Sequence, residues 1–351
     1  MAPKKRVTAT TATPTVTATS IGKGELEKDH RSLHGFEVFT VKWLSHKNES
    51  SITAATAGTS SNDDDDFSSD DDLVIDLTTD NAYHSIEEQR GCRQILKSLT
   101  EEEIQSMPDW AMPLRHYRAE KGDIAKAIAA IKSTLAWRKE FQIDKIVNAF
   151  DKTKQSTALP DEEDFAVILT HETETGKIYT RGYDKDGRAC MYMRPGNENT
   201  MNEDNNMRHL AYQIEKAIAC SNKNGHGKIC LIIDYEGFTL SKAPPMSTTK
   251  KTLDMLQKHY AERMYRAYVC NPPLYFRSFW ALIKPFVDPI TKQKVCFCSG
   301  KKGLQQIVDD MGGPEKAKLH LEKCAGGVAD LRAFDNIEYL NLPFNVAFDE
   351  K

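Results

Sequence analysis

Few residues in this chain stand in a pattern that catalysis would need. The 351 residues contain no GxxxxGK[ST] run to cradle phosphates, no GxSxG elbow to present a serine and no HExxH pair to hold zinc. The ten histidines are scattered. Asp234 is the carboxylate best placed for chemistry, because it ends a short apolar run at the edge where α/β sheets carry their functional groups. The competing reading is that Asp234 anchors the next loop through hydrogen bonds. Asp184-Lys185-Asp186-Gly187 resembles part of a calcium loop, but registering its glycine at the sixth position puts Gly182 first and Met193 twelfth, where carboxylates are required. An Asp/Gly turn is the expectation instead. None of the eight cysteines forms a CxxC pair or joins a histidine at zinc-ligand spacing, so reduced, mostly buried thiols are expected. Cys296 and Cys298, two apart on a strand, share a face. No catalytic residue, cofactor or metal is assigned, and the protein is read as a non-enzyme.

The elements that would position any site centre on Lys228 to Gly300. Three apolar runs, Ile229 to Ile233, Tyr265 to Cys270 and Val295 to Cys298, are too short for helices and nearly free of charge. They predict neighbouring strands of a parallel or mixed sheet, covered on both faces. Leu253, Leu256, Tyr260 and Met264 recur at helical spacing and predict a crossover helix between the first two. Between the second and third lies PPLYFRSFWALIKPF, whose plainly polar positions are only Arg277, Ser278 and Lys284. Such a helix must be buried on every side or meet something oily.

Upstream, Ile86 to Phe150 reads as helical. Thr100 before three glutamates marks a helix start, and Asp123 precedes a stripe of Ile124, Ile128, Ile131 and Leu135. Gly176 to Gly196 predicts a hairpin of Ile178 to Tyr183 and Ala189 to Met193. Met207, Leu210, Ile214 and Ile218 predict another amphipathic helix. After the central block, Leu304 to Met311 predicts a short helix ended by Gly312-Gly313, and Pro314 opens another that runs to about Gly326-Gly327. The remaining residues carry no assignable pattern.

Residues 1 to about 85 differ in kind. They are rich in Thr, Ala and Ser and contain NDDDDFSSDDD, so they are expected to be disordered. Lys4-Lys5-Arg6 reads either as a nuclear import signal or as part of a solvated tail. Phe36 to Leu44 alternates like a strand and has the form of a docking motif. Residues 1–89 hold 8 Lys/Arg against 16 Asp/Glu, and residues 90–351 hold 39 against 35. The mildly cationic remainder suits an anionic lipid surface. No apolar stretch approaches the ~20 residues needed to cross a bilayer, and the amino terminus lacks an apolar signal core, so secretion is not expected.

Together the motifs resemble the CRAL-TRIO lipid-binding family, in its phosphatidylinositol transfer branch. Ile232-Ile233-Asp234-Tyr235-Glu236-Gly237 is similar to that family's strand running into Asp-x-x-Gly. Tyr260-Ala261-Glu262-Arg263-Met264 resembles its Tyr-Pro-Glu-Arg element, with Ala261 in place of proline. Asn271-Pro272-Pro273-Leu274-Tyr275-Phe276 resembles its Asn-x-Pro entry to an aromatic helix, and Lys284 to Lys294 its Lys-Pro-Phe-x-Asp-Pro-x-Thr-x-x-Lys. Leu114 to Lys121, Trp137-Arg138 and the hairpin are also similar, so the likeness covers about residues 90 to 330.

The resemblance implies an α/β fold: a mixed, largely parallel sheet floor with helical walls enclosing an apolar lipid pocket, preceded by a small all-helical lobe. It divides the chain into a disordered tail (1–85), the lobe (86–155), the lipid-binding domain (156–330) and a C-terminal extension (331–351). The gate helix would use Leu274, Phe276, Phe279, Trp280, Ile283 and Phe286. Thr291 and Lys294 look like the pair that holds an inositol phosphate, with Glu262 and Arg263 nearby and Arg118 and Lys121 from the lobe. Glu120 stands where the family has a phosphate-binding arginine. Ile229 and Leu231 replace the Ser and Thr expected for choline lipids, so the implied cargo is phosphatidylinositol, carried by a cytoplasmic monomer that visits membranes. Two alternatives stay open: a carrier of a sterol or tocopherol-like molecule, or a lipid-sensing scaffold that recruits a protein partner through residues 1–85. No nucleic-acid partner is expected.

Overall fold

The computed structural model describes residues 80–151, 164–298, 300–321 and 331–350. The tail with its acidic run, the Phe36 to Leu44 patch and Gly326-Gly327 lie outside the described residues. A helical lobe comes first, with α1 (Ile86–Lys97), α2 (Glu101–Gln105), α3 (Met112–Ala119), α4 (Ile124–Glu140) and α5 (Ile143–Val147). Thr100 starts α2 through a reciprocal capping box with Glu103, so the acidic first turn acts as its sequence predicts. Asp123 caps α4 by accepting from the Lys126 N–H. The stripe that α4 buries is Ala127, Ile131 and Thr134, leaving Ile124 and Ile128 at its margin. Small residues let neighbouring helices approach that face closely, which apolarity alone does not reveal.

Five strands form one sheet in chain order: β1 (Ile178–Tyr183), β2 (Ala189–Met193), β3 (Ile229–Asp234), β4 (Met264–Cys270) and β5 (Val295–Cys298). β1 is antiparallel to β2, and the remaining pairings are parallel. The hairpin falls on its predicted residues. Asp184 builds the turn, its Oδ1 accepting from the N–H groups of Asp186, Gly187 and Arg188 at 3.0, 2.9 and 2.8 Å. Gly187 adopts φ 103°, which only glycine takes at little cost.

The other helices are α6 (Phe165–Thr173), α7 (Glu203–Lys223), α8 (Met246–His259), α9 (Phe276–Ile283), α10 (Pro289–Lys294), α11 (Gly300–Asp310), α12 (Pro314–His320) and α13 (Asn336–Asn341). Alternation along the strands divides the core. Tyr192, Cys230, Ile232, Tyr268 and Cys270 pack with Ile307 and Met311 of the α11 end and Ala317 of α12. Met191 and Ile229 pack with Met207, Leu210, Ile214 and Ile218 of α7 and Met255 of α8.

Three expectations need correction. The crossover helix stops at His259, and Met264 begins β4, because Glu262 turns the chain through a left-handed conformation at φ 55°. β5 is an edge strand with Phe297 exposed, so the sheet is not covered on both faces throughout. α12 ends at His320, short of the glycine pair.

Residues 336–348, which carry no legible pattern, belong to the core. Tyr339 and Phe348 are buried there. The Phe348 N–H donates to Thr180 O at 2.9 Å, and the Tyr339 hydroxyl donates to Gln213 Oε1 at 2.7 Å. Lys216 holds this segment from α7: its ammonium donates to Pro343 O at 3.2 Å and lies 4.9 Å from the Tyr339 ring centroid. Burial lowers its pKa from 10.5 to about 8. The folded pKa lies below the unfolded one, so stability rises as pH increases from 8 to 10.5. Lys216→Met should therefore be the more stable form at pH 7, by up to about 3 kcal/mol, with the advantage shrinking towards pH 10.5. Urea unfolding of both proteins across that range measures the difference.

Candidate functional site

Asp234 closes β3 as a loop anchor. Its Oδ1 accepts from the Glu236 N–H at 3.0 Å and from Asn271 Nδ2 at 2.9 Å, and the Arg194 guanidinium stands 4.0 Å away. These bonds join the loop after β3 to the start of the α9 segment, where Asn271 takes φ 50°. They fit the anchoring reading of this carboxylate.

The loop and α9 meet through rings. Tyr235 lies 4.7 Å from Phe276 and 5.3 Å from Phe238, Phe276 lies 5.8 Å from Phe279 and 6.0 Å from Phe297, and Trp280 lies 5.6 Å from Phe297. Phe276 is 5 % exposed and Ile283 is also buried, whereas Leu274 is 98 %, Leu282 61 % and Phe286 45 % exposed. Residues 274–286 are therefore two-sided: Phe276 closes on an aromatic cluster, while Leu274 before the helix, Leu282 on it and Phe286 after it meet solvent. Lys250 lies 4.7 Å from the Phe286 ring.

The enclosed apolar pocket expected from the sequence is not what the two best-formed cavities provide. One, of about 20 Å³, lies at the lobe junction among Arg115, His116, Arg138, Glu215, His259 and Arg263. The other, of about 120 Å³, lies among Glu140, Phe141, Gln142, Phe165, Asp204 and Arg208. Both are lined largely by polar side chains and neither could hold an acyl chain. Under α9 the aromatic side chains pack against one another.

The six expected headgroup residues separate. Glu262 and Lys294 come together, Lys294 Nζ lying 3.4 Å from Glu262 Oε2, whereas Thr291, one turn earlier on α10, is bonded to Asp288, whose Oδ1 accepts from the Thr291 N–H at 2.8 Å. Arg118 is committed elsewhere, donating to Glu88 at 2.8 Å and to the carbonyls of Asp80 and Ala82 at 2.9 and 2.8 Å. Lys121 follows α3 in a left-handed conformation, φ 54°, and is exposed. Arg263 points into the lobe junction, donating to Gly227 O at 2.9 Å and to Asp109. Asp109 also receives both Arg115 nitrogens, at 2.7 and 3.0 Å. Burial raises the Asp109 pKa, but the two guanidiniums outweigh it and hold the carboxyl well below the usual range.

Burial and the Asp109-bound arginines keep His116 neutral, at about 3. Burial similarly lowers His259, stacked 4.3 Å from Trp137, to about 4. Beside them Arg138 donates to Glu215 at 2.5 Å, and Tyr260 donates to the same carboxylate at 3.1 Å.

Sequence reasoning missed Lys228, 3.3 Å from Glu262 Oε2, and Asp80, which receives Arg188 at 2.9 Å. It also gave Asp109 no role. Neither aspartate lies in a periodic pattern; only the charge of Lys228, just before an apolar strand, offered a signal.

The fold and site thus define a mixed α/β domain with a surface-mounted aromatic helix and, separately, two lysines about the Glu262 carboxylate. Residues 173–313 match the family model of the CRAL/TRIO domain. A CRAL-TRIO domain-containing protein of Schizosaccharomyces pombe is 37% identical over 213 residues, covering 60% of this chain and 19% of that protein. Phosphatidylinositol transfer protein PDR17 of Saccharomyces cerevisiae is 31% identical over 189 residues, 52% of this chain and 51% of its own. SEC14 cytosolic factor of Candida glabrata is 25% identical over 279 residues, 72% of this chain and 86% of its own. The chain spans about a fifth of the first relative and about half of the second. The solved structure of Sfh5 covers 74% of this chain at 17% identity, with a TM-score of 0.49.

Removing Asp109 should leave two buried guanidiniums unpaired. Asp109→Ala is expected to cost ~3–5 kcal/mol in urea unfolding at pH 7. Because the folded pKa lies below the unfolded 3.8, the contribution is complete above that value and shrinks as pH falls below it.

Proposed function

We propose that this protein is a non-enzymatic carrier that binds one phospholipid, phosphatidylinositol first, and exchanges it at cytosolic membrane surfaces through a gated hydrophobic pocket. One observation carries the reading: in α9 and its flanks Phe276 closes on an aromatic cluster while Leu274, Leu282 and Phe286 are exposed on the outside. The CRAL/TRIO domain and its transfer-protein relatives support it.

In water the rings pack against one another beneath α9. At a membrane the outer face enters the interface, α9 moves away from the sheet, and acyl chains take the place the rings leave. Each buried CH₂ is worth ~0.8 kcal/mol, so two chains stay bound once the helix closes. No helix of the described residues is long and apolar enough to cross a bilayer, in keeping with interfacial contact. Glu262, Thr291 and Lys294 hold the headgroup at the edge of the sheet.

Glu120 favours a second reading, a carrier of a neutral sterol or tocopherol-like molecule, since a carboxylate repels phosphate. Native mass spectrometry of the purified protein separates the two: phosphatidylinositol is the expected cargo, and a neutral isoprenoid alone would refute it. A scaffold role for the tail is tested by removing residues 1–79, which spares the Asp80 and Ala82 contacts to Arg118. A carrier keeps its transfer activity in this deletion; a recruitment module loses its partner.

Lys294→Ala is expected to slow phosphatidylinositol transfer between vesicles about tenfold with an unchanged unfolding midpoint. Transfer at the wild-type rate would remove Lys294 from the headgroup site. Replacing Leu274 and Leu282 together by glutamate should abolish vesicle co-sedimentation, and retained sedimentation would count against α9 as the membrane face.

A further inference from the structure

Glu262 offers one carboxylate oxygen to two ammonium groups. Lys228 Nζ lies 3.3 Å and Lys294 Nζ 3.4 Å from its Oε2, and all three side chains are partly shielded from water. Both cations sit against one atom, so they are close enough for a single phosphate to bridge them. An ammonium has three donors, and one shared contact leaves capacity in each. As a purely structural ion pair the arrangement is inefficient, because the second lysine is repelled by the first across the oxygen they share.

The backbone at Glu262 is left-handed, which a glutamate adopts only where its surroundings impose it. That conformation is what sends Glu262 towards the lysines while Arg263 enters the lobe junction. Lys228 also lies near Asp80: burial pushes the Asp80 carboxyl up, but Arg188, with Lys228 and His226 behind it, holds it below its usual value.

We propose that Lys228 is the second cation of a phosphate site completed by Lys294, Thr291 and Glu262, and that this site takes the phosphodiester of an inositol-lipid headgroup. Lys228, just before β3, adds a second positive charge beside Glu262. The inference rests on the carrier reading, and its test separates the two.

The full chain is compared with Lys228→Met and Lys228→Arg in phosphatidylinositol transfer between vesicles, and in binding of water-soluble glycerophosphoinositol by calorimetry. Lys228→Met should be about tenfold weaker in both assays and Lys228→Arg within about threefold of wild type, with unfolding midpoints unchanged. Wild-type behaviour of Lys228→Met in both would overturn the proposal. Lys228-dependent binding by a chain that moves no lipid would uphold the site and overturn the carrier. Inorganic phosphate competing as well as glycerophosphoinositol would overturn the headgroup assignment.

Discussion

The turn from Tyr260 to Arg263 is the constraint on which the rest of the molecule depends. Three of its four residues, Tyr260, Glu262 and Arg263, leave the end of α8 in different directions and tie three parts together. The Tyr260 hydroxyl reaches Glu215 on α7, which also holds Arg138 from α4. Glu262 faces the lysines of β3 and α10, and Arg263 enters the lobe to meet Asp109. A buried arginine–carboxylate cluster adds little over well-packed hydrocarbon, but breaking it is expensive because a desolvated charge is left behind. Its physical effect is therefore to fix geometry: the lobe cannot shift relative to the sheet without stranding Asp109, Arg115 or Arg263.

The contacts of α9 differ in kind from those of the lobe junction. That helix is held from below by ring contacts, each worth about 0.5–1.5 kcal/mol beyond area burial, and its roots are held by Asp234 and Asn271. Ring packing is non-directional compared with an ion pair, so it yields to hydrocarbon of similar polarity at low cost. Leu274 and Leu282 are largely exposed to solvent, at 98 % and 61 %. The asymmetry between a locked lobe junction and a ring-packed helix directs any opening to one place.

Much of this was legible because local rules and tertiary structure agree. The short apolar runs, the Asp184 turn and the Thr100 cap each depend on neighbours within a few residues, and each lies where its pattern predicts. What remained illegible rests on long-range partners. Arg118 and Arg263 both belong to motifs that resemble headgroup-binding elements, yet Asp80, Ala82, Glu88 and Asp109 claim them. No spacing rule links Asp109 to Arg263, which are distant in sequence. Residues 336–348 were unreadable for the opposite reason: their apolar side chains, among them Tyr339, Leu340 and Phe348, fill gaps left by the sheet and follow no period of their own.

The commitment of the arginines has a chemical consequence for recognition. A guanidinium presents a planar fork that suits two oxygens of one phosphate, whereas an ammonium is a compact charge with freely rotating donors. With Arg118 and Arg263 held in structural pairs, the cations left beside Glu262 are lysines. A phosphodiester offers two non-bridging oxygens and little need for a rigid fork, and two point charges flanking a carboxylate can meet it while the carboxylate accepts from ring hydroxyls. A doubly charged terminal phosphate would gain more from the forks that this chain has used elsewhere. On the proposed carrier reading, the division of labour between buried arginines and half-buried lysines suits a headgroup rich in hydroxyls and joined through a single diester.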